Sequence, residues 1–269
     1  MPFPFDLQGR KALVTGASRG IGRAISLALA QAGADVALLA RGADDLDKLA
    51  GEIADHDVRA VSVPADVTVP AQVERAVDTA LTEFGRLDVV VNNAGGTGRF
   101  GPFLSLPHSA WEQAMRLNFD SAVHVCRAVG PHLTGQRGGS VVNVASFAGQ
   151  GGLPLLAPYA AAKAALISLT RSLAAEWALS DVRVNAVVPG WIATDLTAPL
   201  SADPATSASL LDAVPAGRWG RPEDVAGAVV YLASDAAGFA TGSCLTLDGG
   251  LDVLSGGPAT LRFFKETGA

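Results

Sequence analysis

The sequence predicts an α/β fold: a single doubly wound domain with a seven-stranded, mainly parallel sheet and helices on both faces. Three observations predict it. Short, continuous apolar runs rich in Val, Leu and Ala recur along the chain, as strands buried on both faces require. Stretches with apolar residues at helical spacing alternate with them, as at positions 73, 76, 77, 80, 81 and 84. The first apolar run also passes through a glycine-rich turn straight into the first helical stretch.

Taken in order, the first strand is KALVT at 11–15, followed by the turn Gly16-Ala17-Ser18-Arg19-Gly20-Ile21-Gly22 and a helix ending at Gly33. Strands are expected next at 35–40, 58–63 and 87–91, with helices at 44–54 and 69–84 between them. After Asn92-Asn93-Ala94-Gly95 a glycine-rich loop runs to about Pro107, then one long helix passes Trp111, Met115 and His124. A fifth strand at 140–145 leads to Ser146, and an alanine-rich helix carries Tyr159 and Lys163 to about Leu179. The sixth strand, 182–188, ends at Pro189-Gly190. Between 191 and 220, Pro199, Pro204 and Pro215 interrupt short apolar pieces, which predicts an irregular substrate loop or lid. A helix at 222–233, with Pro222 in its first turn, precedes the last strand at 243–247 and a tail at 251–269. No repeat or composition break divides the chain, so 1–269 reads as one domain.

Hydrophobic residues at 49% and charged residues at 17% supply a large core. A net charge of −6 with no basic cluster argues against a nucleic-acid partner. Cys126 and Cys244 make no disulfide framework, and His56, His108, His124 and His132 show no ligand spacing, so no metal is expected. No secretory signal and no membrane-length apolar run is present, which predicts a soluble cytoplasmic protein with no membrane contact.

Two constellations carry chemistry. Tyr159 and Lys163 are four residues apart on a predicted helix, so the ammonium shares a face with the phenol. A free phenol titrates near about 10, and an adjacent cation favours the phenolate, which would let Tyr159 exchange a proton near neutrality. Ser146, on the loop after strand five, could hold a substrate oxygen. The glycine turn suits a phosphate, because glycines admit close backbone approach and the helix N-terminus offers N–H groups. In a Rossmann-type site an acid ending the second strand reads the ribose 2′-hydroxyl of NAD. Here Ala40 ends that strand, Arg41 follows, and Arg19 stands in the turn. Two guanidinium groups favour a 2′-phosphate, hence NADP. Asp44 and Asp45 are rivals, since a bent loop would bring one of them to the ribose.

With these residues in hand, the chain resembles the short-chain dehydrogenase/reductase family over nearly its whole length. The matching motifs are Thr15-Gly16-x-x-x-Gly20-Ile21-Gly22, Asn92-Asn93-Ala94-Gly95, Asn118, Ser146, Tyr159-x-x-x-Lys163 and Pro189-Gly190, with thirteen residues from Ser146 to Tyr159. The resemblance implies an oxidoreductase with Asn118, Ser146, Tyr159 and Lys163 as its catalytic group. Tyr159 would exchange a proton with the substrate oxygen. Lys163 would lower the tyrosine pKa and hold the nicotinamide ribose. Ser146 would polarise the carbonyl, and Asn118 would anchor a proton relay. Gly16, Ser18, Arg19, Gly20, Ile21 and Gly22 would border the pyrophosphate side of NADP. Arg41, Asp66 and Val67 would meet the adenosine, Asn93, Ala94 and Gly95 would line the middle, and Pro189, Gly190, Ile192 and Thr194 would meet the nicotinamide end.

Within the family the chain is most similar to the branch of 3-oxoacyl-[acyl carrier protein] reductases, through Arg218-Trp219-Gly220-Arg221-Pro222-Glu223-Asp224-Val225-Ala226 and Asp248-Gly249-Gly250. Those reductases place basic residues near the site for an acidic carrier. Arg137 falls at one such position, whereas Ser180 departs at another. Apolar pocket segments are expected at 100–104, 150–156 and 191–200, which points to a moderately hydrophobic ketone or β-keto acyl substrate. Trp111, Trp177 and Trp219 read as packing residues, and Trp191 as one facing the substrate. Leu261, Phe263 and Phe264 make the tail sticky, and a homotetramer or homodimer is expected. The rivals to an NADPH-dependent carbonyl reductase are an NAD(P)-dependent alcohol dehydrogenase working oxidatively and a non-catalytic nucleotide-binding scaffold.

Overall fold

Strands form where β-branched and other apolar residues run continuously, and helices form where such residues fall three and four apart. The computed structural model describes residues 5–253 together with 257, 258, 261 and 262. Its strands are β1 (Lys11–Thr15), β2 (Asp35–Ala40), β3 (Ala60–Pro64), β4 (Val89–Asn92), β5 (Gly139–Val144), β6 (Val182–Pro189) and β7 (Cys244–Leu247). They make one sheet of order β3-β2-β1-β4-β5-β6-β7. Every neighbouring pair is parallel, so the mainly parallel expectation becomes a wholly parallel sheet.

The helices are α1 (Gly20–Gln31), α2 (Ala43–Ala54), α3 (Pro70–Phe84), α4 (His108–Met115), α5 (Ser121–Gln136), α6 (Ala148–Gly151), α7 (Ala157–Trp177), α8 (Ala198–Ser201), α9 (Pro204–Leu211) and α10 (Pro222–Ala233). Successive residues of β1 point to opposite faces, as the strand period demands. Ala12 and Val14 join a core with Ile25 and Leu29 of α1 and Val225 and Val229 of α10. Leu13 joins the other core, with Val73 and Val77 of α3 and Val125 and Val129 of α5. Leu13 and Leu38 are wholly buried, and truncating such a residue to alanine costs about 2–5 kcal/mol.

The strand order reverses between β1 and β4, because the chain returns past β1 after β3. At such a point the connections diverge to opposite faces and leave a crevice at the carboxyl ends of the strands. Ser146, Pro189 and the glycine turn all emerge at that edge, so the topology gathers the predicted site.

Two expectations change. The single long helix is three pieces: α4, a wide π turn at Arg116–Asp120, and α5. The segment between 191 and 220 is not irregular throughout, because it contains α8 and α9. Pro199 and Pro204 stand in the first turn of these helices, where the missing N–H is no loss, and so they start helices instead of interrupting them. Asp203 adds a cap by accepting from the Thr206 N–H at 2.8 Å. The whole excursion is closed at its base by a bridge between Ile192 and Gly220, with the Gly220 N–H donating to the Trp191 carbonyl at 2.8 Å. Among the described residues no helix is long and apolar enough to cross a membrane.

Candidate active site

The glycine turn is set by contacts that side chains would break. Gly16 has φ +64°, and a Cβ there would lie 2.9 Å from the Ala94 Cα. A Cβ at Gly22 would lie 2.2 Å from the Gly16 carbonyl oxygen. Asn93 stitches the turn to the end of β4: its Nδ2 donates to the carbonyls of Thr15 at 2.9 Å and Gly16 at 3.1 Å. In return Thr15 Oγ1 accepts from the N–H groups of Asn93 and Ala94. The first turn of α1 carries no acid, so its unsatisfied N–H groups and dipole present a favourable surface to an anion.

At the other end of the edge stand the four expected catalytic residues. Tyr159 is the third residue of α7, and Lys163 follows one turn later on the same face. Lys163 is buried, donates to the Val144 carbonyl at 2.7 Å, and lies 5.9 Å from the centre of the Tyr159 ring. Ser146 is buried where β5 ends, and its Oγ accepts from the Ala148 N–H at 3.2 Å. Asn118 is buried in the π turn. Its Oδ1 accepts from the Gly96 N–H at 3.0 Å, and its Nδ2 donates to the carbonyls of Gly96 and Ala114. The Asn118 side chain is therefore spent on Gly96. A Cβ at Gly95 would meet Asn118 Oδ1 at 2.8 Å and Lys163 Nζ at 3.3 Å, so only glycine fits between them.

Burial dominates the electrostatics here. It pulls Lys163 down to about 8, since charging an amine away from water is unfavourable. Burial also pushes the Tyr159 phenol up, opposed by a hydrogen bond with Ser146. The phenol is therefore shifted upward, opposite in direction to the lowering expected from the lysine. Cys126, raised to about 12 by burial, is an inert core residue.

One cleft of about 860 Å³ joins the two ends. Gly16, Ser18, Arg19, Gly20, Ile21, Gly22, Arg41, Asp66, Val67, Asn93, Ala94, Gly95, Ser146, Tyr159, Lys163, Pro189, Gly190, Ile192 and Thr194 all line it. Asn118 lies behind this surface. Of the two rival acids, Asp45 lines the cleft beside Arg41 and Gly42. The Asp66 carboxylate is held down mainly by the Thr68 N–H and hydroxyl, with Arg41 adding to the effect. Thr194 reaches over the turn, its methyl 3.5 Å from where a Gly20 Cβ would stand. The donors and the open glycine turn fit the phosphates of a dinucleotide, and Tyr159 lines the same cleft.

The pocket walls differ in part from expectation. Segment 191–200 contributes Trp191, Ile192 and Thr194 to Thr197, and segment 150–156 contributes Leu153 and Leu156. Segment 100–104 stays outside: Phe100 and Leu104 are exposed, and Phe103 turns onto Trp111 at 6.0 Å. The Gly101 N–H donates to the Leu155 carbonyl, which fastens that segment to the rim. Gln113 and Arg116 line the cleft unforeseen. Their spacing of three residues puts them on one helix face, but only packing of the π turn aims that face at the cleft. Arg137 ends α5 at the amino edge of β5, opposite the cleft, where it is engaged by the Leu179 carbonyl and Asp181. Trp177 packs on Gly130 as expected, while Trp191 lies tilted against Phe147 at 5.2 Å and edge-on to Trp219 at 5.9 Å.

Comparison with known proteins agrees with this geometry. The family model described as Enoyl-(Acyl carrier protein) reductase matches residues 16–252. A 3-oxoacyl-[acyl-carrier-protein] reductase of Synechocystis sp. is 40% identical over 247 residues, covering 91% of this chain and 98% of that protein. A gluconate 5-dehydrogenase of Gluconobacter oxydans is 36% identical over 252 residues, covering 94% and 98%. The crystal structure of a gluconate 5-dehydrogenase from Burkholderia cenocepacia in complex with NADP and tartrate superposes with a TM-score of 0.90 at 37% identity, covering 93% of this chain and 98% of that one. With a Rossmann-like parallel sheet, a glycine turn at its switch point and Ser146, Tyr159 and Lys163 at the same edge, the chain belongs to the short-chain dehydrogenase/reductase family, oxidoreductases that interconvert carbonyl and alcohol groups with NAD(P).

Proposed function

We propose that this enzyme reduces a moderately apolar ketone or β-keto acyl group to a secondary alcohol with NADPH. The observation that carries the reading is the meeting of Ser146, Tyr159 and Lys163 at one end of a cleft whose other end is the glycine turn with Arg19 and Arg41. In this reading Gly16, Ser18, Gly20, Ile21 and Gly22 hold the pyrophosphate and the two arginines the 2′-phosphate. Asp66 and Val67 border the adenine, and Asn93, Ala94 and Gly95 the middle. Pro189, Gly190, Ile192 and Thr194 border the nicotinamide. Residues 191–220 cover the substrate within one catalytic domain spanning the chain.

When bound, NADPH supplies the hydride that the carbonyl carbon accepts. Ser146 and Tyr159 grip the carbonyl oxygen from the protein side. The phenol proton passes to that oxygen as the C–H bond forms, which yields the alcohol and leaves a phenolate. A phenol held protonated by burial is ready to donate without prior ionisation. Lys163 Nζ, poised near 8, stabilises the phenolate and returns a proton toward it. Asn118 acts as a positioning residue: by clamping Gly96 it holds Gly95 against Lys163.

The same residues run in reverse for alcohol oxidation. The Gluconobacter and Burkholderia relatives favour this second reading, since their names give a gluconate dehydrogenase. Arg137 faces away from the cleft, so free ketones are favoured over carrier-bound ones. The test follows NADPH and NADH absorbance over ketones, quinones and β-keto thioesters, and NADP reduction over gluconate and secondary alcohols, beside Tyr159→Phe. Turnover of one class, reduced about 10²–10⁴-fold by the substitution with NADPH affinity retained, is the expected result. Absence of turnover across the panel despite NADPH binding overturns it.

A further inference from the structure

A second cavity of about 340 Å³ is lined by Trp191 with Ile192 and Leu247 and by the polar Arg218, Asp224, Thr246 and Asp248. Trp191 borders both this cavity and the main cleft. The backbone on either side is fixed: a Cβ at Gly190 would sit 2.7 Å from the Asp248 Cα, and the Trp191 carbonyl accepts from Gly220. The ring is fixed too, between Phe147 and Trp219, and Trp219 is in turn held through Nε1 to Ser207 Oγ at 2.8 Å. Phe147 immediately follows Ser146, so Trp191, packed on Phe147, stands next to the group expected to grip the carbonyl.

Resting on the reading above, we propose that the Trp191 indole separates the two spaces and so determines substrate shape, limiting one substituent of the carbonyl, and that the second cavity is a latent extension for a bulky uncharged group. The charge balance of that cavity sets the chemistry. Arg218 is paired with Asp224 at 2.7 Å, and the Asp248 carboxylate accepts from the N–H groups of Gly250 and Asp252. Every charge at its border is therefore engaged, and a carboxylate or phosphate entering it finds no free partner. An aryl or branched alkyl group needs none.

The experiment compares the wild type with Trp191→Ala and Trp191→Phe. Two quantities are read: the ratio of kcat/KM for 2-acetonaphthone to that for 2-butanone, and the calorimetric Kd of 2-acetonaphthone. Trp191→Ala is expected to raise the ratio about tenfold or more and to tighten the naphthyl Kd by a similar factor, with Trp191→Phe intermediate. An unchanged ratio and Kd in both variants overturns the proposal, and the phenylalanine variant decides it where the alanine variant fails to fold. If the wild type turns over no ketone, the reductase reading fails, whereas the naphthyl Kd still decides the role of Trp191.

Discussion

Lys163 concentrates the conflict between stability and chemistry. Its amine is drawn from an ordinary 10.5 to about 8 by burial, a change equivalent to about 3 kcal/mol of unfavourable charging. Between pH 8 and 10.5 the unfolded chain therefore binds more protons than the folded one at this position, and stability contributed here rises with pH through that window. Urea unfolding at pH 7.5 and 9.5 is expected to show the wild type gaining stability relative to Lys163→Met. Parallel behaviour of the two proteins would show that the amine is not desolvated. Arg41 supplies a second test. With Ala40 in place of an acid at the strand end, Arg41→Ala is expected to weaken NADPH about tenfold or more while leaving NADH nearly unchanged. Equal weakening of both, by fluorescence titration, would remove the arginine from the 2′-phosphate. These residues were legible because each is a departure in residue type at a fixed place in a pattern. The direction of the Tyr159 shift was not legible, since burial is a property of surroundings drawn from β5, α6 and α7.

Among the elements, glycines separate backbone necessity from mere tolerance. Gly22 sits in α1 with a would-be Cβ only 2.2 Å from the Gly16 carbonyl. Gly51 sits in α2 with nothing within 4 Å of its would-be Cβ. Gly22→Ala is expected to destabilise by about 1–3 kcal/mol and to weaken NADPH binding by opening the turn. Gly51→Ala is expected to stabilise by about 0.5–1 kcal/mol, because it removes backbone freedom from the unfolded chain. Denaturant midpoints of the pair check both signs. The seven strands and their alternating helices were readable from apolar runs and periodicity. The π turn was not, because its wide geometry places Asn118 against Gly96 through a tertiary contact that leaves no trace in the helical period. The prolines of 191–220 misled for a related reason: Pro199 and Pro204 start helices or break them depending on where the helix begins.

For the whole molecule, the tail and the assembly carry the remaining prediction. Of the sticky residues, Phe263 and Phe264 lie outside the described residues. Arg262, within them, pairs with Asp212 at 3.0 Å, just beyond α9. That contact ties the tail to the 191–220 segment of the same chain. Leu179 and Phe239 are almost fully exposed, at 85% and 105% of their reference surface, which suits burial against further copies. The full chain is expected to sediment as a homotetramer or homodimer, and a chain ending at Gly256 as a smaller species. Equal sedimentation of the two would remove the tail from the assembly.

By itself, the sequence determined the fold class and the residue types at both ends of the cleft, because strand burial, helical period and glycine turns are local and leave local patterns. Only the tertiary structure decided that segment 100–104 stays outside, that Gln113 and Arg116 come in, that Arg137 faces the far edge, and that Trp191 borders two cavities. Those outcomes depend on packing between elements distant in the chain, where a residue's neighbours, and not its own identity, set what it touches.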